Sequence, residues 1–344
     1  MWFKKSLTVL FGIILSLVLC EIILKIYNPF QSRVRGNEII LKSNYKRNVV
    51  IDPPIKGLQD QFTYSTNSIG FRGPEPPKGD DWSKAVTILT IGGSTTECSL
   101  LADDSTWSAH LYQQLKIKDP NVWLNNAGLD GCSTYGHIIL MRDYVVKLKP
   151  DYAIFLVGIN DLVKSSFDNE DGFLIKRKES FWRTLLKKSE LFTLISNLIE
   201  ASKSSKVNVA HGNDPNDYKN NDLNKMDSNS RKELNLKLTK MIPDYTKRIA
   251  EIHQLCQSAG IQSVFVTQPK FDDTASNSWR VMDLYNKALS EYCSKNSIPC
   301  IQLGDKMPRS LDNYYDQIHF TNRGASVVAD ILYPEIFNII NQKQ

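Results

Sequence analysis

The sequence predicts an α/β fold, a three-layer sandwich in which helices cover both faces of a five-stranded parallel sheet. Three observations predict it. Apolar runs of strand length recur along the chain, segments with helical apolar spacing lie between them, and the loops that close the runs are rich in Gly, Asn, Asp and hydroxyl residues. At 344 residues, 42% hydrophobic and 23% charged, the chain is long and apolar enough to bury a sizeable core, which excludes disorder as a whole. A net charge of +5, from 42 basic and 37 acidic residues, does not by itself describe a nucleic-acid-binding surface. Six cysteines without a C-x-x-C spacing make neither a stapled scaffold nor a zinc ribbon.

Residues 1–27 read as an N-terminal transmembrane anchor. The run from Ser6 to Cys20 carries no charge and, continued through Glu21 to Leu24, reaches nineteen residues, with Lys4, Lys5 and Lys25 placed to snorkel to the interfaces. No small-x-small pattern follows the run, which favours an uncleaved anchor over a signal peptide. Lys25, Arg33, Arg35 and Lys42 beyond the run outnumber Lys4 and Lys5 before it, so the positive-inside count leaves the orientation open. A basic start before a short apolar run is how export signals begin, and the main domain is therefore expected outside the cytoplasm, in the periplasm or at the cell surface.

Residues 28–84 hold Pro29, Pro53, Pro54, Pro74, Pro76 and Pro77 and read as an extended connector, with the Tyr64 to Arg72 stretch packed. Residues 85–344 form the main domain. Val86–Ile91, Val122–Asn125, Tyr152–Val157, Ser263–Thr267 and Pro299–Leu303 read as buried strands. Between them Trp107, Leu111 and Leu115 share one helical face, as do Ile138, Met141, Tyr144, Val145 and Leu148. The capping box Ser230-x-x-Glu233 starts a long helix through Ile252 in which Pro243 predicts a kink, and two more helices run over about 278–294 and 325–340. An insertion at about 168–229 supplies no strand: its first half has an apolar helical stripe, its second half holds six Asn and four Asp between His211 and Ser230.

In such a sheet ligands bind beyond the carboxyl ends of the strands. The first run ends in Gly92-Gly93-Ser94-Thr95-Thr96-Glu97, which fits a nucleophilic serine, an N-capped turn or a phosphate loop; no Gly-Lys-Ser/Thr follows to support the last. The second ends in Asn126-Ala127-Gly128-Leu129-Asp130-Gly131 and the third in Gly158-Ile159-Asn160-Asp161, both also compatible with ordinary loops. Before the last helix, Asp316-x-x-His319 lets a carboxylate reach the imidazole and fix its tautomer.

Together these four blocks, in this order and spacing, resemble the SGNH hydrolases, also called GDSL-like esterases, of the membrane-anchored type. The first block departs from the family's name motif, reading Gly-Gly-Ser-Thr for Gly-Asp-Ser-Leu. The resemblance implies the flavodoxin-like SGNH hydrolase fold and a serine esterase acting on acyl or acetyl esters, with cell-envelope glycans or lipids as a substrate class. It makes Ser94, Asp316 and His319 the catalytic triad, with the Ser94 amide, Gly131 and Asn160 as the oxyanion hole. It requires no metal or organic cofactor. An O-acyltransferase with the same triad, and a silent glycan-binding protein on the same fold, remain as alternatives.

Gln268 at the end of the fourth run and His137 beside the second block are expected to line the substrate pocket, whereas Asp161 is expected to brace the Asn160 turn. Neighbouring first and second strands would bring Cys98 and Cys132 to one crevice edge, which predicts a disulfide in an exported protein. The eight basic and three acidic residues from Lys176 to Lys206 match the whole chain's +5 and suggest a membrane-surface or lid helix, or a stripe packed on the domain.

Overall fold

A computed structural model describes residues 2–26, 34–35, 38–162, 189–191, 194–195, 228–271 and 277–342. The chain divides into two compact units, Met1–Ile40 with Gly172–Ala210, and Leu41–Asp171 with His211–Gln344. Most of the expected insertion lies outside the described residues.

In the first unit Trp2–Ile26 forms one helix, and Val34–Arg35 pairs antiparallel with Glu38–Ile39. The Glu21 carboxylate accepts hydrogen bonds from the Ser189 hydroxyl at 2.7 Å and from the Glu190 and Leu191 amides at 2.8 and 3.1 Å. The transmembrane reading of residues 1–27 gains no support here, because among the described residues no helix is long and apolar enough to cross a membrane.

The second unit is built on the expected sheet. Its strands are β1 (Val86–Gly92), β2 (Val122–Asn126), β3 (Tyr152–Leu156), β4 (Gln262–Val266) and β5 (Cys300–Ile301), all parallel, in the spatial order β2-β1-β3-β4-β5. Continuous apolar runs form these strands because both faces are covered, so no alternation with polar residues is needed. The covering helices are α2 (Trp107–Lys118), α3 (Thr134–Leu140), α5 (Ser228–Ala259), α6 (Asn277–Lys295) and α7 (Asn322–Asn341), with two four-residue turns, α1 (Ser94–Glu97) and α4 (Ile159–Leu162), at strand ends. On one face Trp107, Leu111 and Leu115 of α2 pack with Val328, Leu332 and Ile336 of α7 over Ile88, Leu124 and Ile154. The opposite face is buried by α3, α5 and α6, through Ile138, Tyr245, Ile249, Met282 and Tyr285. Pro243 stands inside α5, whose apolar stripe runs through it.

The segment before the sheet is an integral part of this unit. Lys46–Val50 and Gln61–Ser65 form an antiparallel hairpin, and Phe62, Tyr64, Asn67, Phe71 and Arg72 are buried. Arg72 forms a two-way backbone bridge with Asn126, its amide donating to the Asn126 carbonyl at 3.0 Å and its carbonyl accepting the Asn126 amide at 2.8 Å. Asn67 donates to the Asn125 side-chain carbonyl at 2.5 Å, and the Trp123 indole donates to the carbonyls of Pro74 and Glu75. The open edge of β2 is thereby covered, as an unpaired strand edge must be.

Candidate functional site

The blocks singled out in the sequence meet at the carboxyl ends of β1, β2 and β3. Ser94 opens α1 directly after β1, and its Oγ lies 2.8 Å from Nε2 of His319. His319 Nδ1 lies 2.6 Å from Asp316 Oδ2. The other Asp316 oxygen accepts the amides of Ile318 at 2.9 Å and His319 at 2.7 Å, so the turn before α7 locks the carboxylate that orients the imidazole. Burial alone would raise the Asp316 pKa; the bond to His319, its charge and the two amides outweigh burial and hold it below the ordinary carboxylate value. The Tyr315 ring stacks on the His319 ring, with centroids 5.6 Å apart and planes 9° from parallel. This arrangement can draw a proton from a serine hydroxyl and hold it as imidazolium beside a carboxylate.

Donors converge on the same edge. Gly131 takes a φ of +70°, a left-handed conformation that glycine adopts without strain. Asn160 Nδ2 donates to the Cys132 carbonyl at 2.9 Å, which orients its amide and leaves its second N–H for another acceptor. Gly93 lies directly against this amide, where a Cβ would meet Asn160 Nδ2. Among the described residues neither the Ser94 amide nor the Gly131 amide donates a hydrogen bond within the protein.

Asp161 sits behind this edge, fully buried, accepting from Arg248 at 3.0 Å, from the Thr134 hydroxyl at 2.5 Å and from the Thr134 amide at 3.2 Å. The Arg248 guanidinium in turn lies 4.0 Å from the Tyr135 ring centroid. These bonds tie the Asn160 turn to the start of α3 and to α5.

Three expectations are corrected. Gln268 and His137 do not line an open pocket, being exposed by only 0% and 1%. Gln268 instead receives the Thr95 hydroxyl at 3.2 Å and exchanges two bonds of 2.9 Å with Asn286, behind the serine. Cys98 and Cys132 form no disulfide. Cys98 adopts a φ of +51° and turns its Sγ to the Thr95 carbonyl at 3.3 Å, while Cys132 Sγ faces the Ser133 carbonyl at 3.7 Å, so each thiol is engaged with a carbonyl close to it in sequence.

Glu97, quoted within the first block without a role, is fully buried at the end of α1. A single acidic residue in the otherwise uncharged stretch Gly92 to Ala102 was the available signal. Among the described residues no group of three or more His, Cys, Asp or Glu side chains is arranged to hold a metal ion.

The sequence model of the GDSL-like lipase/acylhydrolase family matches residues 90–327. The chain belongs to this family. GDSL-like lipases and acylhydrolases are carboxylic ester hydrolases, and the match takes in all four blocks. Solved structures similar to this chain include the acetyl xylan esterase AlAXEase, at 15% identity and a TM-score of 0.45, covering 72% of this chain and 98% of that one. A GDSL-like lipase from Bacteroides thetaiotaomicron shows 13% identity and a TM-score of 0.44, over 76% of this chain and 91% of that one. An acetylxylan esterase from Geobacillus stearothermophilus shows 14% identity and a TM-score of 0.45, over 73% and 94%. No curated protein matches the chain.

Proposed function

We propose that this acylhydrolase is a serine esterase that cleaves acyl or acetyl esters through Ser94, His319 and Asp316 and an acyl-enzyme intermediate. The observation that carries the reading is the unbroken chain from Ser94 Oγ through His319 to Asp316, at 2.8 and 2.6 Å. His319 takes the serine proton as Oγ attacks the ester carbonyl, and Asp316 stabilises the imidazolium. The amides of Ser94 and Gly131 and the remaining N–H of Asn160 receive the oxyanion. The imidazolium then returns its proton to the leaving alkoxide, and water activated by the same imidazole releases the acid. The chemistry of this donor set calls for no cofactor.

The natural site of action we propose is a membrane surface outside the cytoplasm, reached through the N-terminal helix. Supporting this, Phe11, Ile14, Leu17, Val18 and Ile22 are among many large apolar side chains exposed along that helix. Cell-envelope glycans or lipids bearing esters are the substrates such a location presents.

A panel of chromogenic esters from acetyl to long acyl tests the reaction. Hydrolysis by the wild type and none by Ser94→Ala is expected; wild-type rates in Ser94→Ala would remove Ser94 as nucleophile. Product analysis with a glycan acceptor present is expected to give free acid. Transfer of the acyl group to a sugar hydroxyl would make the enzyme a transferase.

A further inference from the structure

We propose that Glu97 is a positioning residue for the oxyanion hole, and that it acts together with Tyr64 and Arg72, which precede the family-matched residues. The inference rests on the serine-esterase reading above and concerns how that site is held.

Glu97 closes the short helix that Ser94 opens. One carboxylate oxygen receives the Tyr64 hydroxyl at 2.9 Å, and the other receives the Asp130 amide at 2.5 Å. The peptide that follows Asp130 carries the Gly131 N–H, so a single side chain on the serine helix holds the residue from which the second oxyanion donor projects. The same loop is pressed onto this helix at Gly128, where a Cβ would meet the Glu97 backbone amide.

Arg72 clamps the same carboxyl end of the helix. Its guanidinium donates to the carbonyls of Glu97 at 2.5 Å, Cys98 at 2.9 Å and Leu101 at 2.8 Å, and pairs with Asp103 at 2.8 Å. It also lies 4.5 Å from the Tyr64 ring centroid, while its own backbone is bridged to Asn126 at the end of β2. The serine helix and the β2 loop are therefore registered against each other through the segment that precedes the sheet. Burying a carboxylate is costly unless it is well hydrogen-bonded, so a purely space-filling role would favour an apolar side chain at this position. A hydrogen-bonded carboxylate instead sets the separation between the Ser94 and Gly131 donors, and small displacements of such donors weaken transition-state stabilisation.

The test compares Glu97→Leu, Glu97→Gln and Tyr64→Phe with wild type and Ser94→Ala, on the full chain with a chromogenic ester. Glu97→Leu is similar in volume and carries no acceptor; it is expected to lower kcat about tenfold or more with KM within about twofold, because donors act mainly in the transition state. Glu97→Gln can turn its oxygen to the Asp130 amide and its NH2 to the Tyr64 oxygen, and is expected to recover most of that kcat. Tyr64→Phe is expected to lower kcat about threefold, again at constant KM. Folded Glu97→Leu with wild-type kcat would overturn the proposal, as would equal losses in Glu97→Leu and Glu97→Gln. Should Glu97→Leu fail to fold, Tyr64→Phe decides alone: unchanged kcat overturns the proposal. Activity persisting in Ser94→Ala would instead overturn the assignment of the nucleophile, so the two failures are distinguishable.

Discussion

The two edges of the candidate site use carboxylates in opposite ways. On the histidine edge Asp316 is partly open to solvent, its side chain 21% exposed, and it contacts His319, which gains charge in the proposed reaction. On the proposed oxyanion edge Asp161 and Glu97 are buried behind the loops that carry Asn160 and Gly131. A proton-transferring edge must meet substrate and answer a changing charge. An edge that supplies fixed dipoles must keep its shape while charge develops elsewhere. Carboxylates of the first kind are expected to govern proton transfer and pH dependence, and those of the second kind the rigidity and placement of the donors.

The largest effect expected is from Ser94→Ala, a loss of about 10⁴-fold or more in kcat, because the proposed mechanism takes its attacking oxygen from Ser94. Asp316→Asn should lower kcat about 10³- to 10⁴-fold through loss of the correct imidazole tautomer, with substrate KM little changed in steady-state assays. Asn160→Ala removes one oxyanion donor and should lower kcat about 10²- to 10³-fold. Crossing to the bracing carboxylates, Arg248→Met leaves Asp161 buried without its cation and should destabilise the fold by about 3–5 kcal/mol in urea titrations. An Arg248→Met protein as stable as wild type would erase the distinction between the edges.

The smallest expected effect is on the acid side. The folded pKa of Asp316 lies below its unfolded value, so its stabilisation is present above the unfolded value of about 3.9 and is lost as pH falls through the folded pKa. The stability gap between wild type and Asp316→Asn should therefore be constant near neutrality and close below about pH 4. Unfolding midpoints measured from pH 7 to pH 3 would show it, and a gap that widened on acidification would contradict the sign.

The sheet was legible because each strand is a continuous apolar run, from Val86–Gly92 to Gln262–Val266, and the loops at the strand ends carry the chemistry. The serine, histidine and aspartate were legible as a set of blocks in order. Depth was not. That Gln268 closes the fourth strand places it on the ligand edge, but only packing shows that its side-chain oxygen receives the Thr95 hydroxyl and its NH2 donates to the Pro269 carbonyl. The Cys98–Cys132 expectation failed for a related reason: adjacency of β1 and β2 brings two residues near each other without setting where their side chains point. Glu97 was hidden because an acidic residue after Ser-Thr-Thr reads as an ordinary helix-start residue. Its partner Tyr64 lies in the stretch expected to pack within the proline-rich connector, but what that stretch packs against, the sheet edge bridged by Arg72 and Asn126, is set only by the fold.

Labelling with a fluorophosphonate, which reacts fastest with an activated serine, tests the central claim most directly. Peptide mass spectrometry of the treated wild-type chain is predicted to find a single adduct on Ser94, with none in His319→Ala. An adduct on a different serine, or full ester hydrolysis by a chain that the reagent leaves unlabelled, would contradict the account.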